Sequence, residues 1–459
     1  VSDAKQKPAN LGNLTLLDKS LRIFADVRGG ESPTALLLTL NVFLLLTAYY
    51  ILKVAREPLI LSEGGAEIKA YSSVAQSILL VPATLGYSAL ASRVGRMALS
   101  TWVTIFFSGC LVVFWFLGST GIPIGIPFFW WVGIFNVAAV AQFWSFAADI
   151  YADEVGKRLF PIIGIGASVG AVAGAAIADL FIGLGPYILM LVAAALLGVC
   201  LGLTFVVHRT KSDRHTKANG VAEKEEPIGG ANGFALVFRD KYLLLFAAMI
   251  FVLNWVTKTG DYVFDVKILE AAKHAGAASG DVQKLFIGAY KARYFEYVNV
   301  IGVVLQLFFV SRIIKYLGMR AALLAMPLAS LLGYGATFAY PVLGMLFYAR
   351  VGESSLDYSL SNTTRNALWL VTARDVKYKA KQVIDAFVQR FGDAMSAGLV
   401  FFGTHIVILG TRGLIFVNLV LAGIWFVVAF LLARKYSQKE KERATEQLDG
   451  AQENVGIKT

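Results

Sequence analysis

Runs of about 20 apolar residues recur from one end of this chain to the other. Each is long enough, at 1.5 Å per helical residue, to cross a hydrocarbon layer of roughly 30 Å. A chain that is 57% hydrophobic and only 16% charged cannot bury that much apolar surface in one water-soluble core. The sequence therefore reads as an all-α integral membrane protein. The run length also excludes a membrane barrel, whose strands need only about ten alternating residues.

Twelve spans can be drawn, at 34–54, 70–91, 98–118, 126–150, 160–183, 186–207, 242–264, 290–311, 319–339, 341–371, 382–410 and 413–434. The stretch HRTKSDRHTKANGVAEKEEPIGGANG, from His208 to Gly233, is the one long polar interruption. Its Lys, Glu, Ser and Gly content reads as a flexible linker. The expected organisation is an N-terminal arm (1–33), a six-helix bundle (34–207), a linker (208–241), a second six-helix bundle (242–434) and a charged tail (435–459).

A formal charge of +11 would suit a nucleic-acid partner, but the lysines and arginines fall in short segments between apolar runs. A positive-inside bias accounts for them, and no nucleic-acid partner is expected. Basic residues fill the N-terminal arm, the connections at Arg93 and Arg96, Lys157 and Arg158, Arg312 to Arg320 and Arg374 to Lys381, the linker and the tail. The connections at 119–125, 184–185 and 340 carry none. This alternation predicts cytoplasmic termini in an inner (cytoplasmic) membrane. The segment 265–289 breaks it with Lys267, Lys273 and Lys284, and is expected to form an external amphipathic helix.

The first 33 residues lack the pattern of a signal peptide, so the first span is expected to act as its own targeting signal. Cys110 and Cys200 lie within spans and the four histidines are scattered. Neither a disulfide framework nor a metal site is expected, and no cofactor is implied.

The halves echo one another. SRVGRMAL (Ser92 to Leu99) is answered by SRIIKYLGMRAAL (Ser311 to Leu323), YILKVARE (Tyr50 to Glu57) by NWVTKTGD (Asn254 to Asp261), and ADEVGKRLFPIIG (Ala152 to Gly164) by ARDVKYKAKQVID (Ala373 to Asp385). Three echoes in the same order argue for a duplicated six-helix unit. Two parallel six-helix repeats are the arrangement of the major facilitator superfamily, where substrate binds near the midplane.

Charges at membrane depth are the functional candidates. Lys53, Arg56 and Glu57 end the first span and lie on or near one helical face. They fit either snorkelling to the outer interface or a cationic wall of a cavity. Lys258 and Asp261 repeat the geometry in span seven. Asp149, Lys157 and Arg158 mark the turn between spans four and five, as gating candidates. The glycines of GIGASVGAVAG (Gly164, Gly166, Gly170 and Gly174) fit close helix packing or smooth sliding faces. In span ten Arg350, Glu353, Asp357 and Arg365 share a face, as a self-paired ladder or a cavity lining. Span eleven adds Lys381, Asp385, Gln389, Arg390 and Asp393. No nucleophile elbow, Walker motif, zinc-protease motif or paired-cysteine signal is present, so no enzyme is expected.

Three motifs resemble those of the bacterial and plastid ATP/ADP translocase (nucleotide transport protein) family, which has the major-facilitator fold. KVAREPLILSEGGAEIKAY (Lys53 to Tyr71) is similar to a family segment with Arg56 at a lysine position. KRLFPIIGIGAS (Lys157 to Ser168) resembles a family Lys-Arg-Phe-Tyr-Pro motif. The stretch Tyr358 to Asp393 aligns without gaps through Arg365, Lys379, Lys381, Asp385, Arg390 and Gly392. Several acidic positions differ, with Val132 and Asp261 at glutamates, Asn362 at an aspartate and Asn366 at a glutamate, whereas basic positions largely survive, Arg365 replacing a lysine, although Asp393 also stands at a lysine. The resemblance implies a carrier exchanging nucleotides, ATP and ADP above all, by rocking of two six-helix halves in a lipid bilayer. Lys53, Arg56, Lys258, Arg365, Lys381 and Arg390 would then compensate phosphate charge. Asp261, Glu353 and Asp385 would hold those cations when the site is empty. The rival readings are a carrier of another organic anion, proton-coupled through Asp149 or Asp385, and a non-transporting receptor using the segment 265–289.

Overall fold

The structure, a computed structural model, describes residues 31–91, 93–151, 153–212, 233–277, 279–372, 380–381 and 383–456. All but the last three residues of the expected N-terminal arm, most of the polar linker and the basic run from Arg374 to Lys379 lie outside the described residues. What is described is almost wholly helical. The main helices are α1 (Ser32–Ala91), α2 (Arg96–Ser119), α3 (Gly125–Ile150), α4 (Asp153–Phe181), α5 (Pro186–Ser212) and α6 (Gly233–Arg239). They continue with α7 (Lys241–His274), α8 (Gly280–Val304), α9 (Gly318–Ala339), α10 (Leu343–Leu356), α11 (Gln389–Phe401) and α12 (Thr411–Gly456). Eight stretches of the described residues are long and apolar enough to cross a membrane, and two of them, Ser32–Tyr87 and Gly280–Ala339, hold 56 and 60 residues. A single crossing takes roughly 20. This is a multi-pass membrane protein.

Two expected connections are helical instead. The polar stretch after Lys53 does not open into a loop: α1 continues to Gly65, where the backbone turns at φ 70° and ψ −174° before helix resumes. In a medium without water each backbone group must be bonded within its own helix, so helix persists until a residue without Cβ can take the left-handed turn. The segment 265–289 is likewise not a separate amphipathic helix. Its first part completes α7, its last part opens α8, and the turn between them holds Gly276 and Gly280 at positive φ. Two of its three lysines are absorbed by local pairs, Lys267 with Glu270 at 2.7 Å and Lys284 with Asp281 at 3.4 Å. Pairing three residues apart lets a charged helix end extend rather than break.

The chain groups into two compact units, each discontinuous in sequence. The first comprises Val1–Glu63, Ile78–Ala222 and Asp281–Glu296, the second Gly64–Ser77, Glu223–Gly280 and Tyr297–Thr459.

In the first unit α2 packs along α5. An aromatic ladder joins α2 to α3, with Trp131 stacked on Phe135 at 5.4 Å and Phe107 edge-on to both. The Glu63 carboxylate accepts hydrogen bonds from the Ile124 and Gly125 amides at 3.3 and 2.6 Å, covering donors that the start of α3 would otherwise leave open. The glycine stripe of α4 lies against α1. A Cβ on Gly166, Gly170 or Gly174 would stand 2.5, 2.3 or 2.5 Å from the carbonyl oxygens of Thr39, Phe43 and Thr47, while one on Gly164 would meet nothing. Packing, not sliding, fits that geometry, and Thr47 Oγ1 donates across it to the Gly170 carbonyl at 3.2 Å. Gly170→Ala is therefore expected to destabilise the protein by about 1–3 kcal/mol, as overpacking does. Gly164→Ala should leave the melting temperature in a nanodisc unchanged, and equal melting shifts for the two would refute the assignment.

In the second unit α7 is the hub, packed by α10, α11 and α12. Gly392 brings α11 onto the Phe251 carbonyl, Thr259 bonds Ser396 at 3.0 Å, and Asn418 donates to the Val256 carbonyl at 3.2 Å. Wide π-helical turns interrupt this unit at Leu305–Phe309, Ile313–Leu317, Asp357–Ser361, where α10 runs on into Asn362–Leu368, Val383–Val388, just before α11, and Phe402–Ile406.

At the start of α7, Asp240 accepts from the Tyr242 amide at 2.7 Å and from Lys439 of α12 at 2.6 Å. Burial alone would raise the Asp240 carboxyl, but the bonds from Lys439 and Tyr242 together with the lysine charge outweigh it and hold it below the usual carboxylate value. A carboxyl depressed in the folded state contributes stability above its unfolded value, and that contribution is lost as pH falls through the folded one. Asp240→Ala should thus cost about 0.5–2 kcal/mol at neutral pH, as lost caps do. In a melting series the gap from the parent should close towards acid pH; a gap constant to pH 3 would refute the linkage.

Candidate functional site

Within the first unit the end of α1 presents Lys53, Arg56 and Glu57, and the start of α8 presents Lys291. Gly288 at this point of α8 packs on Ile182, from which a Cβ would lie 2.6 Å. One turn on, Lys291 Nζ stands 3.6 Å from Glu57 Oε2, both side chains being 3% exposed or less. Arg56 Nε donates to Glu57 Oε1 at 3.2 Å. Rings surround the cations. Lys53 lies 4.4 Å from the Phe295 centroid and 4.9 Å from that of Tyr50, and Arg56 lies 4.6 Å from that of Phe129. Lys291 faces Tyr294 at 5.7 Å. With Lys53 only 8% exposed and Glu57 1%, these groups are not snorkelling. They form a cationic, aromatic cluster inside protein, where a cation over a ring is worth about 2 kcal/mol when desolvated.

Within the second unit the charges fall into two linked sets. Arg350, 1% exposed, bonds Glu353 one turn along α10, Asp261 of α7, and the hydroxyl of Tyr334 in α9. Tyr334 in turn donates to Glu353 at 2.8 Å. Gly260 leaves the room, since a Cβ there would lie 1.9 Å from the Tyr334 hydroxyl. Next to this set Asp393, 5% exposed, meets Arg390 at 3.5 Å, and Lys258 and Asp261 lie close enough to act on its charge. Arg390 also donates to Ser77 at 3.4 Å.

The other set rests on two of the wide turns, Asp357–Ser361 and Val383–Val388. Arg365 pairs with Asp357 at 3.0 Å, and Lys381 and Arg365 both act on the exposed Asp385. Eight residues separate Asp357 from Arg365, and the wide turn between them brings the two charges together.

Of the sequence-predicted residues, then, Lys53 and Arg56 meet in the first unit. Lys258, Asp261, Glu353 and Arg390 gather round Arg350 and Asp393 in the second, and Arg365, Lys381 and Asp385 form a neighbouring group. Arg158, at the start of α4, does not join either site. It pairs with Glu31 at 2.9 Å. The side chains of Asp149 and Lys157 lie outside the described residues. Sequence reasoning passed over Lys291 and Tyr334. Lys291 carried a signal, as a charge just inside a span. Tyr334 carried none, being one tyrosine among 18.

No protein-family model matches this chain, and no curated protein matches it in sequence. Solved structures do match in fold. A bacterial homologue of the human lysosomal transporter Spinster, in an inward-facing unoccupied conformation, superposes with a TM-score of 0.58 at 16% identity, over 89% of this chain and 98% of that one. The nucleoside transporter NupG gives 0.58 at 15%, over 87% and 98%. A bacterial homologue of the iron transporter ferroportin gives 0.61 at 12%, over 87% and 98%. The chain therefore has the major-facilitator fold.

Proposed function

We propose that this chain is a membrane carrier for nucleotides, exchanging ATP and ADP by alternating access across the cytoplasmic membrane, as a relative of the ATP/ADP translocases. The observation that carries this reading is the cluster of Lys53, Arg56 and Lys291 around Glu57 among the rings of Tyr50, Phe129, Tyr294 and Phe295. Ammonium and guanidinium groups compensate phosphate charge, and aromatic faces accept a planar base. The carboxylate among the cations lowers the cost of holding them in an empty site. Arg365, Lys381, Lys258 and Arg390 supply a second group of cations of the same kind. One neighbour in fold is a nucleoside transporter, which is in keeping with a nucleotide-sized cargo.

The test is uptake of labelled ATP into proteoliposomes, empty or preloaded with ADP. Saturable uptake that requires preloading is expected. Arg365→Ala and Lys381→Ala, both at partly exposed cations, should each raise KM about three- to tenfold, as the loss of a half-solvated charge contact does. Absence of saturable flux would sink the proposal.

A second reading, a proton-coupled carrier of another organic anion, draws on the exposed Asp385 beside Lys381 and Arg365. Uptake driven by a pH gradient into empty vesicles, and abolished by Asp385→Asn, would favour it over exchange.

A further inference from the structure

A partly open cleft lies inside the first unit between α1, α2, α3 and α5, and no charged residue is among those that line it. Its polar groups are concentrated at one end. Asn41 and Ser100 fall within the first three turns of α1 and α2, Gln142 and Thr204 within the last three of α3 and α5. Deeper along the same helices the wall is Leu45, Phe107, Phe135 and Leu197.

One side of the polar end is internally satisfied. The Asn41 amide donates to the Cys200 carbonyl and to Thr204 Oγ1, both at 3.0 Å, and Thr204 donates to the same carbonyl at 2.8 Å. Across from it Gln142 is 9% exposed, and its Oε1 has no hydrogen-bond partner. A buried amide left unmet costs roughly 1–3 kcal/mol. A half-turn of the side chain merely exchanges its oxygen and nitrogen, so what the cleft lacks is one neutral group able to donate or accept. Clefts with mostly apolar walls and a few placed polar groups are the usual form of small-molecule sites.

We propose that this cleft binds a neutral amphipath with a hydroxyl head and an aliphatic body. The hydroxyl engages Gln142 and Ser100 near the membrane face, and the body lies along Phe107, Phe135 and Leu197. Absence of charge in the wall separates this site from the cationic clusters and excludes a phosphorylated ligand, because an anion there would be desolvated without compensation. The inference stands independently of what the protein carries.

The test is photolabelling of the nanodisc-embedded full chain with a diazirine-bearing 1-octanol, followed by peptide mass spectrometry. Label is expected on α3 near Gln142 or on α5 near Cys200, and excess 1-octanol should reduce it at least fivefold, whereas octane should not. Gln142→Leu removes the polar partner and Ala139→Leu fills the cleft. Each should lower labelling at least fivefold in protein that still melts cooperatively. Dioleoylglycerol as a second competitor identifies the source: competition by it marks a bilayer lipid, competition by octanol alone a smaller alcohol. Labelling that ignores both variants, or that octane suppresses as well as octanol, overturns the proposal. So does a Gln142→Leu protein that melts higher while labelling is unchanged, which would mean that only water meets the amide.

Discussion

Arg350→Met is expected to destabilise the protein by about 3–5 kcal/mol, the cost of removing one partner from a buried charge network. Arg350 is 1% exposed and stands among Glu353, Asp261 and Tyr334. Methionine fills much of the volume but leaves the Glu353 carboxylate, itself 2% exposed, without the guanidinium beside it. Arg350→Lys restores charge but not the planar fork that reaches α7, α9 and the next turn of α10 at once, so it should recover only part of the loss. The measurement is unfolding of purified protein in a fixed detergent. Arg350→Met combined with Glu353→Leu should be more stable than Arg350→Met alone, since the stranded charge is then gone. A double variant worse than either single, or an Arg350→Met protein within 1 kcal/mol of the parent, would contradict the network as described. Gly260→Ala offers an independent check. It pushes a methyl group against the Tyr334 hydroxyl and should cost about 1–3 kcal/mol through the same network.

The second large effect is on affinity. Lys291→Met should weaken binding of a labelled nucleotide by about ten- to a hundredfold, equivalent to losing roughly 1.5–3 kcal/mol of charged contact. Lys291 is 3% exposed beside Glu57, so its charge acts in a weakly screened setting and should matter more than a partly exposed cation such as Arg365. Lys291→Arg should stay within about threefold, because charge is kept. The discriminating control is an uncharged nucleoside. If Lys291 answers phosphate charge, nucleoside binding changes little while nucleotide binding collapses. Equal losses for both ligands would assign Lys291 a purely structural part, and unchanged nucleotide affinity would remove it from the site.

Many of the clustered charges were legible because the membrane makes charge conspicuous. Lys53, Arg56, Lys258, Asp261, Glu353, Arg365, Lys381, Asp385 and Arg390 stand out against apolar sequence, and each stands among other charges in the structure. Their roles were less legible. The choice between snorkelling and cavity wall at Lys53 rests on burial, which spacing does not encode. The row Arg350, Glu353, Asp357 and Arg365 divides into two sets, Arg350 with Glu353 and Arg365 with Asp357. That division depends on a wide turn at Asp357–Ser361 which no propensity signals. The helical ends of the segment 265–289 were misread because its lysines resemble a surface face, whereas pairing one turn apart lets α7 and α8 extend through them.

The sequence by itself determined that this chain is helical and crosses a membrane repeatedly, and it marked which residues bear charge at depth. Those properties are local: a run of apolar side chains has one economical conformation in lipid, and a charge within it is costly wherever its partners lie. Only the tertiary structure decided which charges meet. Lys291 of α8 meets Glu57 of α1, Tyr334 reaches Glu353 because Gly260 has no side chain, and Gln142 lines a cleft built by four helices. Such contacts join residues far apart in the chain through close packing, and nothing in the residues between them specifies the distance.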